Sequence, residues 1–527
     1  MSNDLLLSLG HNASAVHIKD GDVEMGFEEE RLTKTKSDSS FPHNAIEQMG
    51  DIQYDTIYVS HWDPFCKLEN MSSKHWKPKA LPDHDQIITL DQDFTHHDAH
   101  AHSAVAFQNS DMPTRDTHII VADGFGNYGE CLSIYEYNGP SKNPTLIHRS
   151  HGYSSSLGLM YQYATANLGL RMNQDEYKLL GYEAHTDDTT KLAMCPHIDK
   201  VANRMFTDIM KKKVFDPHDP LYDTSALVKT QMMWDKELSR YDRKKAHIAY
   251  FTQSVLEIVL ERIIEEFDIC NVILAGGVFM NVKANLAILE NIPGKISVMP
   301  LSGDQGAPLG LYHVDYPEFR MPNKLNWGSR YLHKREGKHL VTVQTGNEVV
   351  DFIDTHLSKN HIVNVVKGAM EFGSRALGNT STIMLPTKEN ADYVNIINGR
   401  DSIMPMAPMV LAPEMDKTFM HADRVVKSTN YMIMALPYID PSKNIMGAAH
   451  PWVNHPGMFT GRPQRVGATD PIMSLILSKY GILINTSFNI HGQPICYSSA
   501  DVQRHHEYQM EKDYKNRVYT VILQGDR

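Results

Sequence analysis

Paired cysteines are missing from this chain. Its five cysteines (Cys66, Cys131, Cys195, Cys270 and Cys496) stand singly, with no C-x-x-C pair. That argues against both a structural zinc knuckle and a disulfide framework and fits a reducing compartment. Long apolar runs are missing too, since polar residues interrupt each one well before it could cross a bilayer. The opening "MSNDLLLSLGHN" has neither the basic region nor the long apolar stretch of a secretory signal, so a cytoplasmic location and no membrane partner are expected. An excess of positive charge is also absent: 51 Lys and Arg face 63 Asp and Glu, for a net charge of −12. Phosphate contacts along a duplex need clustered cations, so this balance disfavours a duplex nucleic acid partner while leaving room for a local basic cleft.

What is present has the composition of a large soluble globular protein. The chain has 527 residues, 42% of them hydrophobic and 22% charged, enough for two or three domains with their own cores. The first ninety residues read as short strands and turns: "LLLSLG", then "ASAVHIKDGD" ending in an Asp-Gly turn, then "VEMGFEEER". A similar phrase returns in "HIIVADGFGNYGECLSIYEYNG". Two hairpin units with a polar residue at the first turn suggest a duplicated α/β domain of the actin-like ATPase kind, although any α/β protein contains hairpins. "SVLEIVLERIIEEF" carries apolar residues at helical spacing and predicts a packed amphipathic helix. Strand–turn–helix phrases follow in "NVILAGGVFMNVKANLAIL" and "KISVMPLSGDQGAPLGLYH". The aperiodic stretch after Tyr312 ends near Lys338. It sets a division into 1–325, a linker at 326–338, and a second α/β domain at 339–527.

In "FTHHDAHAHSAVAF", His96 and His100 are four residues apart, so on a helix both imidazoles share one face. A histidine-rich helix is more often a solvated face than a metal site. Two further ligands would alter that balance, and Asp123 in "ADGFG" and Asp304 in "SGDQG" both follow a strand directly. Two imidazoles and two carboxylates suit Fe²⁺, Mn²⁺ or Zn²⁺. The Gly276-Gly277 turn is either a place of close approach to a nucleotide or a tight packing turn. Towards the C-terminus, Arg375 and Asn379, Arg400, Arg462 and Gln464, and Asn485, Ser487 and Asn489 gather in short Gly-, Ser- and Asn-rich phrases. Arginine forks in such settings predict an anion or nucleotide pocket.

The phrases "GHNASAVHIKDGDVEMGFEEERLTKTK", "HHDAHAHSA", "ILAGGVFMNVKANL", "LSGDQGAPLG", "MEFGSRALGN" and "ILINTSFNIHGQPI", in that order, resemble the O-carbamoyltransferases of the nodulation and antibiotic type. The resemblance runs from about residue 5 to residue 500. It implies an N-terminal actin-like ATPase fold, similar to the threonylcarbamoyl-transfer protein, and a YrdC-like C-terminal domain. The latter would convert carbamoyl phosphate and ATP, with Mg²⁺ accompanying the nucleotide, into carbamoyl-adenylate. The N-terminal domain would then pass the carbamoyl group to a hydroxyl of a small-molecule or nucleotide acceptor.

By the same resemblance His96, His100, Asp123 and Asp304 would hold iron, and His11 would be the base for the acceptor hydroxyl. Lys178 would match the lysine of the family's "dEgK" phrase, and Gly276, Gly277 and Asn281 would meet the nucleotide. The chain departs from the family at Asn12, where an aspartate is usual, at Ser374 for proline, and at Thr380 and Met404 for arginines. Retained activity is the expectation. A nucleotide-binding protein with altered catalysis and a tRNA threonylcarbamoyl-type transferase are the alternatives. Loops around Phe65–Asp85 and Met205–Asp242 are expected to shape the acceptor pocket. A homodimer is left open.

Overall fold

The computed structural model describes residues 2–62, 81–91, 93–211, 224–331, 334–400, 406–440 and 445–524. Met404, Cys66 and much of the two expected acceptor loops lie outside them.

The first sheet contains β1 (Asn3–Ser8), β2 (Ser14–Lys19), β3 (Asp22–Glu28), β4 (Tyr54–Trp62) and β5 (His84–Leu90), ordered β3-β2-β1-β4-β5. The three consecutive strands are antiparallel, and β4 and β5 add in parallel on the other side of β1. A second sheet repeats the plan with β6 (Thr117–Ala122), β7 (Glu130–Glu136), β8 (Thr145–His151), β9 (Asn271–Ala275) and β10 (Ile296–Val298), ordered β10-β9-β6-β7-β8. Its pairing senses are the same. Both central strands, LLLS and THIIVA, are apolar on both faces, as strands covered from both sides must be. This repeated order is a duplication of one α/β plan, as the two hairpin phrases suggested.

Each half ends in a helix, His96–Phe107 after β5 and Ala307–Asp315 after β10, and the two helices pack on each other. Gly310 makes the contact, since a Cβ there would lie 1.7 Å from the Ala99 carbonyl oxygen. The amphipathic phrase forms the long helix Lys245–Glu266, whose apolar face fills the core beneath the second sheet.

A third sheet collects strands from later in the chain: β11 (Leu340–Val343), β12 (Ile362–Val366), β13 (Thr380–Met384) and β14 (Ala407–Leu411). A small ribbon of β15 (Leu436–Pro437), β16 (His450–Pro451) and β17 (Phe459–Gly461) follows. β18 (Gln464–Val466), β19 (Ile482–Ser487) and β20 (Val518–Leu523) then complete the large sheet in the order β11-β20-β12-β13-β19-β14-β18.

The two halves share a core. Phe419, Ile433, Met434, Leu436 and Tyr438 are buried with Ile288, Leu289 and Val298, and Val298 N donates to Ser428 Oγ at 2.7 Å. The aperiodic stretch between the halves is also packed: Phe319, Met321, Leu325, Trp327 and Tyr331 are all buried.

Candidate active site and metal centre

Helix His96–Phe107 is fixed at its start by a capping box, in which Thr95 and Asp98 satisfy each other's backbone amides. That aims His96 and His100 from one turn towards the ends of β6 and β10. His96 Nε2 lies 3.1 Å from His100 Nε2, 3.3 Å from Asp123 Oδ2 and 3.5 Å from Asp304 Oδ1. His100 Nε2 is 3.4 Å from Asp123 Oδ2 and 3.9 Å from Asp304 Oδ1. One donor atom from each residue lies within 4.8 Å of all the others. Ligands about 2.0–2.2 Å from one ion are separated by roughly 3.0–3.6 Å in tetrahedral or octahedral sites. Most of the spacing is therefore that of a shell around a single small cation.

The electrostatics agree with the geometry. Burial works against charge on His96, yet its hydrogen bonds to Asp123 and Asp304 push it up to about 10. Burial likewise opposes charge on Asp123, but hydrogen bonds from His100 and His96 hold it well below the usual carboxylate range. An enclosed pair of carboxylates facing two imidazoles is a field that attracts a cation, and the donor set fits a divalent transition metal.

The other two histidines of the cluster are core residues. His97 Nδ1 contacts Ser133 Oγ at 2.8 Å, and His102 Nδ1 meets His313 Nδ1 at 3.2 Å. The helix is buried along most of its length, so it is no solvated face.

Glycines hold the aspartate loop in place. Gly276 has φ +94°, and a Cβ there would lie 2.3 Å from the Ala122 carbonyl oxygen; a Cβ on Gly277 would lie 2.9 Å from Asp123 Oδ1. The turn is thus a packing turn that braces the Asp123 strand. Gly276→Ala should destabilise the fold by at least about 2 kcal/mol, read as a lower urea midpoint with an unchanged slope.

A cavity of about 470 Å³ opens beside this group, lined by Asp123 and Asp304 from the first half and by Arg375, Arg400 and Arg462 from the second. His11, Asn12, Lys178, Gly277, Asn281, Ser487 and Asn489 also border it. Asn12 has φ +61°, a left-handed conformation that asparagine tolerates as well as aspartate does. Lys178 pairs with Asp175 at 3.1 Å. Asn281 caps helix Val282–Asn291 by accepting from Lys283 N and Ala284 N.

Arg400 is clamped from behind. It donates to Thr486 Oγ1 (2.5 Å), to Ser487 O (2.9 Å) and Oγ (3.1 Å), and to Asn489 Oδ1 (2.7 Å). None of Arg375, Arg400 and Arg462 has a carboxylate partner among the described residues. Burial pushes Arg375 and Arg400 down to about 10. Burial and the charge of Arg375 push Arg462 further down. Lys36 joins them on the cavity wall, and burial lowers it too, with Arg400 and Arg375 adding repulsion to the opposing pull of Glu30 and Asp175. Three guanidiniums facing one cavity without carboxylate partners among the described residues are costly, and an anion relieves that cost.

Some expected site residues turn elsewhere. Asn379 donates to Ala369 O and accepts from Lys367, whose ammonium also pairs with Asp470 at 2.8 Å. Gln464 and Asn485 hydrogen-bond each other and brace the Arg375 loop through Leu377 O and Ala376 O. These three support the wall and do not face the cavity, and Gly276 sits behind it. Thr380 contacts the Tyr331 hydroxyl at 3.0 Å in the core, so its side chain does not point at the arginine cluster. Lys36 and Thr486 had no signal in the sequence beyond their neighbours.

Residues 70–311 match the carbamoyltransferase N-terminus family and residues 355–515 the carbamoyltransferase C-terminus family. The chain belongs to the carbamoyltransferase family. An uncharacterized protein of Methanocaldococcus jannaschii is 27% identical over 93% of this chain and 94% of its own length. Nodulation protein NolNO of Sinorhizobium fredii is 26% identical over 95% of this chain and 77% of its own. Among solved structures, component A of the Acidaminococcus fermentans (R)-2-hydroxyglutaryl-CoA dehydratase aligns with 60% of this chain and 100% of that one, at 14% identity and a TM-score of 0.33. In this chain the two aspartates of the candidate metal group and the arginine cluster border one continuous cavity. No helix among the described residues is long and apolar enough to cross a membrane.

Proposed function

We propose that the protein is an ATP-dependent O-carbamoyltransferase working in two steps within one chamber. The observation that carries this reading is the shared cavity, with unneutralised cations on one side and a metal-ligand set on the other. In the first step, at the YrdC-like C-terminal half, water cleaves carbamoyl phosphate to carbamate and phosphate. A carbamate oxygen then attacks the α-phosphorus of ATP, and pyrophosphate leaves with the electrons of the broken P–O bond. Arg375, Arg400, Arg462 and Lys36 hold the phosphates and meet the charge that accumulates on them.

In the second step the acceptor hydroxyl oxygen attacks the carbamoyl carbon and AMP departs. His11, on the β1–β2 turn, takes the hydroxyl proton. A divalent transition ion held by His96, His100, Asp123 and Asp304 would supply Lewis-acid charge beside the transferring group. Enclosure protects the mixed anhydride from water, which otherwise destroys it. The acceptor is a hydroxyl-bearing small molecule or nucleotide.

Incubation with ATP and carbamoyl phosphate should release pyrophosphate and AMP, and a panel of hydroxylated metabolites should reveal a product heavier by one carbamoyl group. ATP binding without pyrophosphate release would select a catalytically altered nucleotide-binding protein instead. Dialysis against a chelator, followed by assay with Mg²⁺ restored, should abolish product formation while pyrophosphate release continues, and re-addition of Fe²⁺ should restore the product.

A further inference from the structure

The loop carrying Arg375 is held by carboxylates on both sides. On its C-terminal side Glu371 Oε1 accepts from the amides of Leu377 (2.7 Å), Asn379 (2.8 Å) and Thr380 (3.2 Å). On its N-terminal side the anchor comes from the other half of the protein. Glu28 Oε2 accepts from Gly373 N at 3.1 Å, and Arg31 Nη2 donates to Gly373 O at 2.5 Å. Glu28 and Arg31 are themselves joined by contacts of 3.1 and 3.0 Å, from Nε and Nη2 to the same carboxylate oxygen. One buried ion pair therefore takes both backbone polar groups of a single residue. Its spacing is natural, because Glu28 ends β3 and Arg31 lies in the helical turn Glu29–Thr33 that follows.

The held residue is a pivot. Gly373 has φ +101°, and a Cβ there would meet Leu301 Cδ2 at 2.8 Å. Ser374 beyond it is exposed and, unlike proline, sets no φ of its own. Arg375 Nε has no hydrogen-bond partner among the described residues. No hydrogen bond from a described residue holds the guanidinium, so the path of its backbone does much to aim it.

We propose that Glu28 and Arg31 form a positioning latch, supplied by the N-terminal half, that aims Arg375 into the cavity. The inference rests on reading the arginine cluster as the site for phosphate-bearing substrates. Misplacing a binding group by about 1 Å is enough to cost on the order of a hundredfold in rate. An arginine on a released loop would be misplaced by at least that.

The test uses the full-length protein with Glu28→Gln, which keeps the shape and removes the charge, and Arg31→Lys, which keeps the charge and loses the fork. In pyrophosphate release, each should raise KM for carbamoyl phosphate about ten- to a hundredfold, with a smaller fall in kcat. In an Arg375→Ala background, Glu28→Gln should add less than about twofold, because the residue it acts through is gone. Multiplicative effects would mean that Glu28 touches substrate directly and would overturn the latch. Arg31→Lys retains the ion pair and serves if Glu28→Gln fails to fold. Should the wild type release no pyrophosphate, the functional reading fails, and calorimetry with inorganic pyrophosphate still decides the latch. Weaker binding by Glu28→Gln supports it, and unchanged binding overturns it.

Discussion

His96→Ala and His100→Ala proteins should lose most of their bound metal and transfer carbamoyl groups more than about a hundredfold more slowly, while still releasing pyrophosphate from ATP and carbamoyl phosphate. The expectation follows from where the ligands sit. His96 and His100 lie on a helix of the duplicated half, 3.1 Å apart at Nε2, and the arginines that would grip the phosphates belong to loops of the other half. Removing one imidazole leaves the Thr95–Asp98 capping box intact, so the helix should persist and circular dichroism should be unchanged. Asp304→Asn is the gentler companion, because it keeps the side-chain shape and halves the carboxylate charge facing the imidazoles. Metal analysis with both half-reactions measured on the same preparation decides the matter. A folded His96→Ala protein that has lost pyrophosphate release as well would show that the two steps are not divided between the halves.

Much of this architecture is legible in the amino-acid sequence. Hydrophobic runs ending in Gly- and Asp-rich turns placed the strands, and the recurrence of one hairpin phrase pointed to the duplication that the sheet orders display. The metal group was readable because each aspartate directly follows or closely trails a strand and the two histidines share a helical turn. What the sequence could not convey is which way a polar side chain turns. Asn485 and Ser487 lie in the same strand, yet Asn485 braces a loop while Ser487 supports Arg400 at the cavity wall. Asn379 and Arg375 share one glycine-rich phrase, but the asparagine is used up by Lys367 and Ala369 O. Contacts between distant segments were also out of reach. Arg31 and Gly373 are 342 positions apart, and neither residue announces the other. The stretch at 326–338 has the composition of a linker, but composition does not register Trp327 and Tyr331 entering the core.

The arginine cluster leads to a prediction in which stability and activity move in opposite directions. Arg462 has no carboxylate partner among the described residues, and burial together with the neighbouring charge of Arg375 disfavours its protonated form. Replacing it by Met keeps most of the side-chain volume and removes a charge that only an anion neutralises. Arg462→Met should therefore hold or raise the melting temperature in the absence of substrates, by the equivalent of up to about 1–3 kcal/mol. The same change should lower pyrophosphate release by about a hundredfold or more, because a half-buried guanidinium at a cavity wall that meets a phosphate contributes far more than an exposed one. Added pyrophosphate sharpens the contrast. It should raise the melting temperature of the wild type strongly, through binding to the folded state alone, and that of Arg462→Met little. Arg400→Met should differ in one respect. Its guanidinium satisfies Thr486, Ser487 and Asn489, so its loss strands those acceptors and should cost stability as well as activity. If Arg462→Met unfolded as readily as Arg400→Met, Arg462 would be a structural residue whose partner is part of the protein, and the anion would not be what it awaits.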